Sequence, residues 1–104
     1  MKIVKVTYTT NAAYAEQNQN NIKNVMADLQ KINNPGINYT SCMSADGKTF
    51  THTAFFKSEE DEKVLFALAS FKLFQEQLKA SGPETPPKQE LLTLVGSSTN
   101  IFNN

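Results

Sequence analysis

Hydrophobic and polar positions follow two different periods along this chain, and the order of those periods predicts its architecture. From Ile3 to Tyr8 every second residue falls on the same side, as in a strand. From Tyr14 to Ile32 the apolar positions recur at helical spacing. Period two returns from Ile37 to Phe56 on either side of Asp46-Gly47, which predicts two strands. A second helical stretch runs from Glu59 to Leu78, and a last strand from Glu90 to Val95. The order βαββαβ is the split-βαβ, ferredoxin-like plan. It implies an α+β fold with a four-stranded antiparallel sheet, strand order 4-1-3-2, and two helices on one face.

The faces follow from the periods. In the first strand Val4, Val6 and Tyr8 share one side, and Ile3, Lys5 and Thr7 the other. The first helix, with Thr10 or Asn11 as its N-cap, aligns Tyr14, Asn18, Ile22, Val25, Leu29 and Ile32, with Met26 beside them. Asn18 and Asn21 stand where core residues are expected. Asp-Gly between β-patterned runs signals a hairpin. A two-residue loop at Asp46-Gly47 sets Met43 opposite Phe50, Ser41 opposite His52, Tyr39 opposite Ala54 and Ile37 opposite Phe56. Slipping the register by one would mix Asn38 and Thr40 into the apolar side. Ser58-Glu-Glu-Asp61 reads as a capping box, with acids in the first helical turn. The second helix then places Val64, Ala67, Leu68, Phe71, Phe74 and Leu78 in its buried stripe, with Leu65, Phe66 and Leu73 widening it toward a second surface. Residues 1–96 form one domain, and 97–104 a polar tail with Ile101-Phe102 as a docking point.

Two helices cover one side of such a sheet and leave the other bare. The sequence assigns Ile3, several Thr, Cys42, Phe55, Leu91 and Val95 to the bare side. That mixture suits a surface that meets a second sheet. The expectation is a homodimer with its two sheets face to face as a closed barrel.

Composition narrows the function. The chain has 104 residues and balances ten basic against ten acidic side chains; every basic residue is Lys. Without Arg and without net charge it is a poor partner for nucleic acid or a phosphate-rich cofactor. The Asn- and Lys-rich composition also fits an AT-rich genome. Four glycines form no phosphate loop. One Cys and one His give no metal-ligand spacing, so neither a metal nor a cofactor is expected. Cys42 lacks a basic neighbour and reads as a small filler residue. Lys2 and Lys5 break the N-terminal apolar run, so no signal peptide is read. No run reaches the roughly 20 apolar residues of a membrane span. A cytoplasmic protein without membrane association is the expectation.

The element order, the segment Leu68-Ala-Ser-Phe71-Lys-Leu-Phe74-Gln-Glu-Gln-Leu78 and the final Leu-rich strand ending in Val95-Gly96 resemble the dimeric α+β barrel superfamily. The branch most similar is that of the antibiotic-biosynthesis-monooxygenase-like proteins. The resemblance implies a pocket between helices and sheet. It also implies a choice among cofactor-free oxygenation of phenolic or quinol compounds, haem degradation, isomerisation and no catalysis. The haem-degrading branch uses an Asn, a Trp and a His, and this chain has no Trp.

Several residues carry candidate chemistry. His52, the sole histidine, lies on the covered face of a central strand and is the candidate general base toward an acidic phenol. The alternative is a hydrogen-bonded core histidine. Ser41 would be its cross-strand partner in either case. Tyr8, Tyr14, Asn18, Tyr39 and Ser41, with Phe71, would line a pocket for a small aromatic or quinone-like ligand. The competing reading rotates the first helix to expose its Asn residues and fills the core with Phe71, Phe74 and Met43. Under that reading the protein is a non-catalytic binding or structural module.

Overall fold

The computed structural model describes residues 1–102. Strand β1 (Lys2–Thr9) leads through a short 3-10 turn (Ala12–Tyr14) into helix α1 (Ala15–Ile32). Strands β2 (Ile37–Met43) and β3 (Thr49–Phe56) form the hairpin. Helices α2 (Glu59–Ala67) and α3 (Ala69–Ser81) follow, then strand β4 (Thr85–Leu92). The sheet is antiparallel, in the expected order β2-β3-β1-β4.

The hairpin register is the expected one, from Ile37 opposite Phe56 to Met43 opposite Phe50. The loop is longer than expected. Ser44 N–H donates to the Thr49 carbonyl (2.8 Å) and Gly47 N–H to the Ser44 carbonyl (3.0 Å). Asp46 Oδ1 accepts from the backbone N–H groups of Lys48 and Thr49 (both 2.9 Å). Gly47 takes φ +76°, a conformation that favours glycine. Two-residue and four-residue loops share parity, so every side chain keeps its face.

The second helical stretch is two helices. Leu68 is extended (φ −68°, ψ 129°) and separates α2 from α3. One continuous helix would put Leu65 off the stripe of Phe71, Phe74 and Leu78. The break absorbs the rotation, so Leu65 is buried in place of the expected Val64 and Ala67. The capping box forms as read, with Ser58 Oγ accepting from Asp61 N–H. The expected α1 cap does not form. Asn11 instead turns its Nδ2 to the carbonyls of Ser81 and Gly82 (2.8 and 2.9 Å), tying the β1 exit to the end of α3.

Strand β4 begins five residues earlier than the pattern predicts and stops before Leu94 and Val95. Adjacent residues face opposite edges, so one of Pro86 and Pro87 is tolerated on the unpaired edge of β4 and the other at the register shift opposite Thr7 to Thr9. The earlier start changes the faces. Leu91 pairs with Val4 and therefore lies on the helix side, contrary to expectation, and Leu92, opposite Ile3, is the bare-face residue.

The covered face holds the core: Tyr8, Phe50, Phe56, Ile22, Val25, Leu65, Phe71, Phe74 and Leu78. Met43 is exposed and does not fill it. On the bare face, register aligns Leu92, Ile3, Phe55 and Asn38 in one row, and Lys88, Thr7, Thr51 and Cys42 in another. Cys42 is exposed there, so it fills no core space. The chain beyond β4 crosses the first row, where Asn38 Nδ2 donates to the Ile101 carbonyl (3.4 Å). Met1, Leu94, Ile101 and Phe102 line a common recess. Among the described residues no helix is long and apolar enough to cross a membrane.

Candidate functional site

The site grows from one row of the covered face. Val6 on β1, His52 on β3 and Ser41 on β2 stand abreast, because β1 and β2 both pair with β3 at His52. Tyr8 and Tyr39 occupy the next same-face positions, one on either side of that row. Their side chains converge on the imidazole from both edges. Tyr8 Oη lies 2.7 Å from His52 Nε2 and Tyr39 Oη 2.7 Å from Nδ1. Ser41, expected as the histidine's partner, stays directly opposite it but makes no bond to it; the longer reach of Tyr39 takes that place. Ser41 lines a separate recess between α1 and β2.

Helix α1 supplies the next layer. Asn18, fully buried at 0 % exposure, donates from Nδ2 to Tyr8 Oη (2.9 Å). Its Oδ1 is buried without a partner. Asn21 donates to Gln77 Oε1 (2.7 Å) and, at 3.4 Å, to Tyr14 Oη, and it accepts from Gln17 Nε2 (2.9 Å). The asparagines are therefore inward-facing, which overturns the reading in which the first helix rotates to expose them. Tyr14 belongs to this helix–helix contact and does not line the pocket.

Beside His52 lies a cavity of about 440 Å³. Tyr8, Tyr39 and His52 form its polar wall; Val6, Phe71, Phe74 and Leu78 form its apolar walls. Its mouth is framed by Gln75, Lys79, Pro83, Pro86 and Pro87. The opening exists because no helix covers β4, whose residues are all exposed. Phe71 and Phe74 line this space without closing it. The ring of His52 sits 5.4 Å from that of Phe74 and 5.3 Å from that of Tyr8, centroid to centroid. The rim residues escape a reading by periodicity, since they meet only once β4 is paired. The one sequence signal for them is Pro86-Pro87 directly after the helix stop.

Burial dominates the electrostatics. His52 is 4 % exposed, and desolvation of the imidazolium pulls its pKa down to about 4. It is neutral at pH 7, with one nitrogen donating and the other accepting. Burial also raises the hydroxyl pKa values of Tyr8 and Tyr39, so both remain protonated donors. Among the described residues no three His, Cys, Asp or Glu side chains gather as a metal site would require.

No family model and no curated protein matches the sequence. Solved structures do match in shape. A Nitrosomonas europaea protein provisionally named an antibiotic biosynthesis monooxygenase superposes with TM-score 0.76 at 16 % identity, over 92 % of this chain and 100 % of the other. A Caulobacter crescentus protein with the same provisional name gives 0.74 at 20 %, over 91 % and 90 %. SnoaB, a cofactor-independent oxygenase from Streptomyces nogalater, gives 0.65 at 14 %, over 95 % and 96 %. The chain shares their fold. The ferredoxin-like α+β architecture of the antibiotic-biosynthesis-monooxygenase-like proteins is thus the architecture of this protein.

Proposed function

We propose that this protein binds a small planar aromatic molecule bearing a ring oxygen, held between α3 and the sheet. The observation that carries this is the 440 Å³ cavity with apolar walls and a single polar patch, the Tyr8–His52–Tyr39 cluster. Such a space suits a flat ring, and the patch suits one hydroxyl or carbonyl oxygen. An imidazole whose pKa is near 4 is a weak base toward a phenol of pKa about 10. The cluster is therefore better fitted to hydrogen-bond recognition than to taking the phenol's proton directly. Titration with 1,4-naphthoquinone, followed by quenching of tyrosine emission, should saturate. His52→Ala should weaken that binding about tenfold by removing the hub of the patch. Linear, unsaturable quenching, or affinity unchanged in the variant, would refute the assignment.

The fold shared with SnoaB favours a second reading, turnover at the same site without a cofactor. In it a quinol and dioxygen give a hydroxyquinone and water. The quinol supplies the two electrons and two protons that carry the second oxygen atom to water. Oxygen uptake with 1,4-dihydroxynaphthalene above its autoxidation rate, lost in His52→Ala, distinguishes turnover from binding alone.

A homodimer through the bare face belongs to the same proposal. Leu92, Phe55 and the threonine-rich rows support it; Ile3 in the same row is already buried within the single chain, and the tail beyond β4 covers one end of the surface. Light scattering at micromolar concentration should report twice the chain mass of 11.6 kDa. A value of one chain mass would exclude the dimer.

A further inference from the structure

The partners around His52 constrain the order of its hydroxyl and imidazole protons, which bears on the kind of oxygen the pocket accepts. Asn18 Nδ2 donates to Tyr8 Oη. The Tyr8 hydroxyl has one proton of its own, and its other partner is His52 Nε2 at 2.7 Å. Tyr8 is 1 % exposed, and aimed anywhere but at Nε2 its proton would be buried without a partner; Nε2 is therefore the acceptor nitrogen of the neutral ring. The ring proton is then on Nδ1, and it is donated to Tyr39 Oη, also at 2.7 Å. Tyr39 Oη accepts there and keeps its own proton for another partner; among the described residues no second side chain takes it.

We infer that Asn18, Tyr8, His52 and Tyr39 form a relay of fixed polarity ending in a Tyr39 donor, so that the pocket selects an aromatic ligand through a carbonyl oxygen, as in a quinone or aryl ketone, over a ring hydroxyl. The inference rests on the binding reading above and narrows its ligand class. Tyr39 is its specificity-determining residue. Tyr8 and Asn18 are positioning residues that act through the imidazole. Burial excludes the imidazolium. The ring is neutral at working pH, so it cannot donate from both nitrogens and leave the polarity undefined. A ligand hydroxyl could accept that bond too, but its own proton would then face the apolar walls of Val6, Phe71, Phe74 and Leu78 without a partner. A carbonyl meets it without rearrangement. With Tyr8→Phe, Nε2 loses its donor and the ring is free to carry its proton on either nitrogen. Tyr39 then either donates to Nδ1 or to the ligand, and the preference should shrink even though Tyr39 is intact.

Two measurements test this. Because His52 is the sole histidine, its ring 15N shifts report the tautomer unambiguously and need no ligand. The expected form is Nδ1–H, giving way to a mixture in Tyr8→Phe. An Nε2–H ring in the native protein overturns the inference, since it reverses every bond in the relay. The second is anaerobic titration with 1,4-naphthoquinone, 1,4-dihydroxynaphthalene and naphthalene. The quinone should bind most tightly, and Tyr39→Phe should cost it about tenfold while leaving naphthalene unchanged. In Tyr8→Phe the quinone-over-quinol ratio should fall toward one. Equal affinity for quinone and quinol, with naphthalene still bound, overturns the relay and leaves the pocket assignment standing. Loss of all three ligands overturns both.

Discussion

Phe50→Ala should lower the stability of this protein by about 4 kcal/mol, the range for removing a fully buried phenylalanine and leaving a cavity. Phe50 is 1 % exposed and lies opposite Tyr8 on β1 and Met43 on β2, so it joins three strands at the centre of the covered face. Its ring stacks on that of Tyr8 at 5.6 Å with an interplanar angle of 19°. No neighbour is positioned to fill the space, because Met43 on the edge strand is exposed. Phe50→Leu should recover a large part of the loss. Urea unfolding at constant slope measures it. A loss below about 1 kcal/mol would mean that the site collapses around the smaller residue, contrary to this packing. The stack also fixes Tyr8 against His52, so Phe50→Ala should loosen ligand binding while touching no ligand itself.

Stability should also fall as the pH drops from about 6.5 toward 4, by roughly 3 kcal/mol, on account of His52 alone. In the folded protein burial holds its pKa near 4, whereas in the unfolded chain it returns to 6.5. Between these values the unfolded chain binds a proton that the folded state refuses. Stability is therefore constant above 6.5 and declines below it. The two aspartates with lowered pKa values act elsewhere on the scale. Asp46 is held down first by its bond from Thr49, and Asp61 by its bond from Ser58. Each contributes stability above the ordinary carboxylate range that is lost only at lower pH. Urea midpoints between pH 7 and about 4.5 should thus slope in the native protein and flatten in His52→Gln. An equal slope in both would show that the imidazole is not the group responsible.

The legibility of this protein follows the range of the interactions involved. The βαββαβ order, the hairpin register and the capping box rest on neighbours close in sequence, and each is present. The sequence pattern reads as one continuous second helix because Leu65 and Leu68 both satisfy a helical apolar pattern. Only competition for the core shows that Leu65 must rotate inward. The β4 boundaries are hidden from the local pattern for a related reason. Proline argues against a strand unless the strand is known to be an edge, and strand position is a property of the whole sheet. Tyr8, Tyr39 and His52 are legible as inward-facing, whereas periodicity leaves Asn18 open between core and solvent. Their mutual bonds are not legible, since the choice of Tyr39 over Ser41 depends on side-chain reach across the sheet.

The sequence by itself determined the element order, the face to which each hairpin residue belongs, and the burial of one histidine among tyrosines. Periodicity and turn chemistry act over a few residues, so they are complete in one dimension. The tertiary structure decided the break at Leu68, the early start of β4, the open mouth beside Pro86 and Pro87, and the neutral, doubly bonded state of His52. Each of these depends on which surfaces remain uncovered and how deeply a group is desolvated, and burial is settled only when the whole chain has closed on itself.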